Sequence, residues 1–204
     1  MRAVLKLYYV PKTRAMRPRW LLEELGVPYE LVRMDASKRE TRTEAYLGVN
    51  PLGHVPALDD DGTTLIESAA IVMYLADKFP EKGLAPGPGT PERGRWYQWI
   101  VYAMVTVEPH LAALSELPRP PPQPHGEEAK RAARERFDKV VAVLEKHLTG
   151  REFVVGDRFS AADVVVASVL GWARLSGLLE AFPACASYAR AMLARPAAKK
   201  ARED

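Results

Sequence analysis

The chain has 204 residues, 48% of them hydrophobic, enough for one large domain or two small ones with real cores and too apolar for a largely disordered protein. Lys plus Arg number 29 against 26 Asp plus Glu, a net charge of +3 with no basic block interleaved with aromatics, so nucleic acid is not an expected partner. The single cysteine, Cys185, excludes an intrachain disulfide, and no apolar run is long enough to span a bilayer. His54, His110, His125 and His147 are scattered without metal-ligand spacing, so no metal is expected. The start, Met1 to Lys6, reads without an apolar leader, which makes the cytoplasm the expected location.

Ala3 to Tyr9 alternates as a strand, and Pro11-Lys12-Thr13-Arg14 breaks it. Met16 to Leu25 has helical spacing, with Met16, Trp20, Leu21 and Leu25 on one face. Gly26 is its expected C-terminal cap and Pro28 its stop. Tyr29 to Met34 is a second strand, so the opening reads as a parallel βαβ unit. Glu40 to Leu47 predicts a short helix. Val55 to Leu58 and Thr64 to Ile66 predict two short strands around the turn Asp59-Asp60-Asp61-Gly62, and Ser68 to Phe79 a helix. The Pro- and Gly-rich stretch from Phe79 to Thr90 reads as a linker. After it the pattern is helical throughout. Glu92 to Leu117 predicts one long helix, with Pro109 as its candidate bend, and the prolines from Leu117 to Gly126 predict a loop. Glu127 to Leu148 is a charged amphipathic helix. Ser160-Ala161-Ala162-Asp163 reads as a capping box opening the apolar helix Val164 to Leu175, and Ala184 to Ala194 is a last helix. The basic tail from Arg195 to Arg202 reads as a solvated, fraying terminus. The expected organisation is a domain over residues 1–78, a linker over 79–91 and an all-helical domain over 92–204.

Two motifs carry the chemistry. His54-Val55-Pro56-Ala57-Leu58 puts a proline in what otherwise reads as a buried strand, where Pro fits if its preceding bond is cis and the backbone of Val55 is exposed. Glu67-Ser68-Ala69-Ala70-Ile71 places a carboxylate and a hydroxyl at a helix entrance, where unpaired N–H groups suit an anion. Together they suit an extended peptide gripped by its backbone and its terminal carboxylate. Glu67 and Ser68 read equally well as plain helix caps when taken alone.

A βαβ-ββα module with a cis-proline, followed by an all-helical module, resembles the cytosolic glutathione transferase family. The resemblance rests on Asn50-Pro51-Leu52-Gly53-His54-Val55-Pro56-Ala57-Leu58, on Glu67-Ser68-Ala69-Ala70-Ile71 and on Phe159-Ser160-Ala161-Ala162-Asp163. The stretch from Trp20 to Glu30 looks like bacterial members. It implies a thioredoxin-like α/β N-terminal domain, an all-α C-terminal domain and a homodimer. It also implies that the backbone of Val55, before Pro56, pairs with the cysteinyl part of glutathione. Glu67 and Ser68 would hold the γ-glutamyl end, and His54 would reach the glycyl carboxylate. Glutathione is then a co-substrate, with no separate cofactor, no nucleic acid and no membrane as partner.

Conjugation needs the thiolate, and a free thiol titrates near about 8.5. A hydroxyl donating to the sulfur near a helix N-terminus lowers that value. The run Tyr8-Tyr9-Val10-Pro11-Lys12-Thr13 resembles the theta/delta-like branch with a serine at this position, which makes Thr13 the expected catalytic hydroxyl and Tyr8 the alternative. Where another branch carries a catalytic cysteine, near Arg14, this chain has none. Arg17 reads either as a source of positive potential near the sulfur or as a surface residue. Trp96, Tyr97 and Met104 are the candidates for the electrophile pocket, with core packing as the competing reading. The expected activity is transfer of the glutathione thiolate to small hydrophobic electrophiles, in keeping with detoxification. A glutathione-dependent disulfide or peroxide reductase, or a non-catalytic scaffold, are the alternatives.

Overall fold

The computed structural model describes residues 4–114 and 127–203, so the proline loop expected over Leu117–Gly126 lies outside the described residues. The chain divides into two compact units, residues 1–85 with 194–204, and residues 86–193.

The first unit holds a four-stranded mixed sheet of order β2-β1-β3-β4. β1 (Leu5–Tyr9), α1 (Met16–Leu25) and β2 (Tyr29–Arg33) form the expected βαβ unit, with β1 and β2 parallel. Leu5, Leu7 and Tyr9 point into the core and alternate with half-buried Lys6 and Tyr8. α1 ends at Gly26, whose φ of 63° lets its N–H reach the carbonyl of Leu22. The segment expected as one helix over Glu40–Leu47 is a 3-10 turn (Glu40–Arg42) followed by α2 (Glu44–Val49). Thr43 separates them because its extended backbone caps α2, with Oγ1 accepting from the Tyr46 N–H.

β3 (Ala57–Asp60) and β4 (Thr63–Ile66) form an antiparallel hairpin. Its two loop residues, Asp61 at φ 53° and Gly62 at φ 83°, supply the positive angles that a twist-matched two-residue turn requires. α3 (Ser68–Lys78) returns across the sheet, and its Tyr74 and Lys78 both donate to Oδ2 of buried Asp60. Burial pulls the Asp60 carboxyl toward its neutral form, but the bonds from Lys78 and Tyr74 outweigh this and hold it below its ordinary value.

Residues 194–204 also belong to this unit, not to the helical domain that the sequence reading of 92–204 put them in. α9 (Pro196–Lys200) is no fraying tail: Ala198 and Ala201 are buried, Arg195 grips both carboxylate oxygens of Glu24 at 2.7 and 2.8 Å, and Lys200 pairs with Glu23 at 2.7 Å. The basic tail meets an acidic pair on α1, which composition alone does not reveal.

The second unit is helical. The helix expected as one piece from Glu92 is α4 (Pro91–Val101), a π-helical turn (Tyr102–Val107) and α5 (Glu108–Leu114). The Glu108 N–H reaches back to Ala103, a five-residue step. Pro109 explains the widening, since it has no N–H to give and its ring would crowd the carbonyl four residues back. α6 (Glu127–Leu148), α7 (Ala161–Leu175) and α8 (Pro183–Leu193) complete the unit. α7 is the core helix, and its capping box is present as expected. Asp163 accepts from the N–H groups of Ser160 and Val154 and from the Tyr188 hydroxyl, at 2.7–2.8 Å. Desolvation still raises its carboxyl above the ordinary value. Ser160 and Asp163 are thus structural residues.

Candidate active site

Sheet register gathers the two motifs. Ala57 pairs with Tyr8 on one side and with Ile66 on the other. The chain leaving β1, the chain entering β3 and the chain leaving β4 therefore lie at one end of the sheet. That end carries Val10 to Thr13, His54 to Pro56 and Glu67 to Ser68.

The Val55–Pro56 bond is cis. Val55 is half-buried, and its N–H and C=O have no partner among the described residues. Asn50 fixes the turn before it. This buried side chain donates from Nδ2 to the His54 carbonyl at 2.7 Å and accepts from the Leu52 N–H at 3.0 Å. The Tyr46 hydroxyl donates to the same His54 carbonyl at 2.6 Å. Burial, with Tyr8 beside it, pushes Tyr46 up to about 12, so the hydroxyl keeps its proton throughout the working pH range. The His54 side chain is exposed.

Glu67 sits at φ 71° and ψ 112°, outside the regions comfortable for a side chain, and makes no cap to α3. Such a conformation costs on the order of 1–3 kcal/mol and persists only where its surroundings impose it. It leaves the carboxylate in solvent and the first turn of α3 open: the N–H groups of Ser68, Ala69 and Ala70 have no partner among the described residues. Ser68 is 3% exposed and its Oγ accepts from Nη1 of Arg17 at 3.1 Å. The arrangement sets open helix N–H groups, of the kind that suit an anion, beside the unpaired backbone of Val55.

Thr13 lies one turn before α1. Its hydroxyl donates to the Val10 carbonyl at 2.6 Å and accepts from the Ala15 N–H at 3.3 Å. Tyr8, half-buried, packs its ring 5.4 Å from that of Tyr46, and its hydroxyl has no hydrogen-bond partner among the described residues.

Trp96, Tyr97 and Met104 belong to the second unit. Trp96 is fully buried, with Arg93 over its ring, and has no surface to offer a ligand, which corrects its expected place in a pocket lining. Tyr97 is exposed and meets Trp96 edge-on, and Met104 is half-buried in the π-helical turn.

The comparisons agree with this geometry. Residues 3–77 match the model of the glutathione S-transferase N-terminal domain, and residues 127–191 that of the glutathione S-transferase C-terminal domain. The glutathione S-transferase GstA of Escherichia coli O157:H7 is 32% identical over 195 residues, 94% of each chain. The chain belongs to the glutathione S-transferase family. A sphingomonad glutathione S-transferase solved with glutathione superposes with a TM-score of 0.82 at 36% identity, over 97% of this chain and 96% of that one. The bacterial transferase BphK, solved as a ternary complex, gives 0.83 at 32% identity over 97% of both. The chain is accordingly an enzyme, a transferase that conjugates glutathione, on a thioredoxin-like domain joined to a helical one. Among the described residues, no group of His, Cys, Asp or Glu is arranged to hold a metal, and no helix is long and apolar enough to cross a membrane.

Sequence reasoning missed three residues around the site. Arg17 was open between electrostatic and surface roles, and it is buried at 3% exposure. Its signal is weak, because Arg14 and Arg19 nearby carry the same charge and nothing local sets Arg17 apart. Asn50 had a readable signal, because Asn before Pro-Leu-Gly favours a side-chain-closed turn. Tyr46 had none, since its contact with His54 exists only once α2 packs beneath the loop.

Proposed function

We propose that glutathione lies across the sheet end, with its cysteinyl backbone on Val55, its γ-glutamyl carboxylate on Ser68 and the open turn of α3, and its glycyl carboxylate toward His54. Glu67 reaches the γ-glutamyl amine. The observation that carries this reading is the uncapped α3 N-terminus beside the unpaired Val55 backbone, at one end of one sheet. A peptide thiol ending in a carboxylate complements both.

Thr13 is the activating hydroxyl. Rotating its proton from the Val10 carbonyl to the sulfur replaces a neutral hydrogen bond with a charge-assisted one. The thiolate then attacks an electrophilic carbon as the leaving group departs, with proximity and the lowered thiol pKa supplying the rate. No protein thiol takes part. Cys185 is buried, and desolvation keeps its thiol well above its ordinary value. Tyr8 is the second reading, favoured by its unpartnered hydroxyl while the Thr13 proton is engaged.

The helical unit takes the electrophile, small and hydrophobic, with Tyr97 and Met104 touching it and Trp96 backing Tyr97. The enzyme works as a cytoplasmic homodimer in detoxification. Light scattering at micromolar concentration tests the dimer, and a lone 22.7 kDa species would refute it. Calorimetric titration with glutathione tests the site. Ser68→Ala and Glu67→Ala must each weaken binding about tenfold, and unchanged affinity would return both residues to a capping role.

A further inference from the structure

Arg17 is a guanidinium buried at 3% exposure within α1, beside apolar Trp20, Leu21 and Leu22. Burying such a group is costly unless it is well bonded. One of its bonds crosses to α3, where Nη1 donates to Ser68 Oγ at 3.1 Å, and Ser68 is itself 3% exposed.

A serine hydroxyl has one proton and two lone pairs, whereas arginine only donates. Ser68 can therefore only accept from Arg17. Its own proton is turned to a different direction, and it has no acceptor among the described residues. A hydroxyl that accepts from a cation also becomes a stronger donor. The open N–H groups of Ser68, Ala69 and Ala70 stand in the same turn.

The geometry points to Arg17 as a positioning residue that fixes and polarises the Ser68 hydroxyl, so that its proton is presented to the γ-glutamyl carboxylate of glutathione. This rests on the reading of Ser68 as a glutathione contact. Arg17 also lies one helical turn after Thr13, with its N–H on the Arg14 carbonyl at 3.1 Å, so the residue that tunes the carboxylate cradle grows from the segment that carries the activating hydroxyl.

The test compares two probes by calorimetry: glutathione, and the same tripeptide with its γ-glutamyl α-carboxylate amidated. Arg17→Met is expected to weaken glutathione about tenfold, the loss of one charge-assisted bond, and the amide less than about twofold. In the Ser68→Ala background the Arg17 change should add nothing. Arg17→Lys, which keeps the charge without the fork, should recover part of the affinity, and it reads the same comparison if the Met variant does not fold. Equal weakening of both probes, or an unchanged Kd for glutathione, overturns the proposal. Ser68→Ala with unchanged affinity would instead sink the underlying reading of Ser68. Ser68→Ala weakened with Arg17→Met unaffected sinks the Arg17 role alone.

Discussion

Thr13→Ala should raise the titration of the bound glutathione thiol by about one pH unit. On the proposed mechanism the wild-type hydroxyl leaves the Val10 carbonyl, to which it donates at 2.6 Å, and turns to the sulfur. It gives up a neutral bond worth about 1 kcal/mol and gains one to a charged acceptor worth about 1.5–3. The net gain of about 0.5–2 kcal/mol brackets the 1.36 kcal/mol that moves a pKa by one unit. The thiolate is the reactive form, so lowering its pKa raises the reactive fraction only below that pKa. At pH 6.5 the Ala variant should lose about tenfold in kcat/KM, and the loss should vanish above roughly pH 9, where both enzymes hold thiolate. Thiolate absorbance of the bound complex gives the titration, and a model electrophile such as a chlorodinitrobenzene gives the rate profile. Thr13→Ser keeps the donor and should follow the wild type. Thermal unfolding run alongside isolates the separate loss of the turn bonds to Val10 and Ala15. If the Ala variant titrates like the wild type, Thr13 does not touch the sulfur. If Tyr8→Phe shifts the titration instead, the role passes to Tyr8.

Three further outcomes test the scaffold around the site. Glu67→Gly should be more stable than Glu67→Ala by about 1 kcal/mol in urea unfolding, because only glycine relieves the φ of 71°; both should weaken glutathione, and an equally stable Ala variant would remove the claim of strain. Gly53→Ala should cost about 2 kcal/mol and weaken glutathione, since at φ 59° a Cβ there would lie 2.6 Å from the Thr41 carbonyl oxygen, whereas Gly48→Ala, with open space in α2, should be neutral or mildly stabilising. Asp60→Asn should flatten the acid limb of stability. The folded carboxyl titrates below its unfolded value, so its contribution is full above the unfolded pKa near about 3.9 and fades as pH falls through the lower folded value. A variant with the wild-type slope between pH 5 and 2 would contradict that sign.

The elements read best from the sequence were those whose signals are local. The strand–helix–strand opening, the Gly26 cap, the Asp61-Gly62 turn and the capping box at Asp163 all follow from alternation, positive φ or a short side-chain reach, and each stands in the structure. Two features were illegible for a common reason. The basic tail pairs with Glu23 and Glu24, more than 170 positions earlier, and buried Arg17 bonds to Ser68, 51 positions later. A charged residue that is buried by a distant partner has the same sequence signature as one in solvent. The π-helical turn lies between these cases. Pro109 announced a disturbance of the helix, but relief by widening rather than bending depends on the neighbouring packing. Trp96 shows the remaining ambiguity, since core and pocket aromatics share one spacing and differ only in which way the helix is rolled.

The proposed site divides its work between backbone and side chain, and that division predicts how variants should sort. In the proposed site, binding would draw on the Val55 backbone and on the open N–H groups of α3, with Asn50 fixing the turn before Val55 and Glu67 leaving α3 uncapped. Ionisation would draw on one hydroxyl, that of Thr13, in the turn from Val10 to Ala15. Changes in residues 50–55 or 67–70 should therefore alter glutathione affinity while leaving the titration of the bound thiol where it was. Changes at Thr13 should move the titration with little effect on affinity. Arg17 is the informative exception, because it stands in the α1 segment yet bonds to Ser68. If it acts through the carboxylate cradle, its variants must behave like those of Ser68: weaker binding, unmoved thiol. If instead they shift the thiol titration at constant affinity, Arg17 acts on the sulfur through its field, and its bond to Ser68 only anchors the side chain.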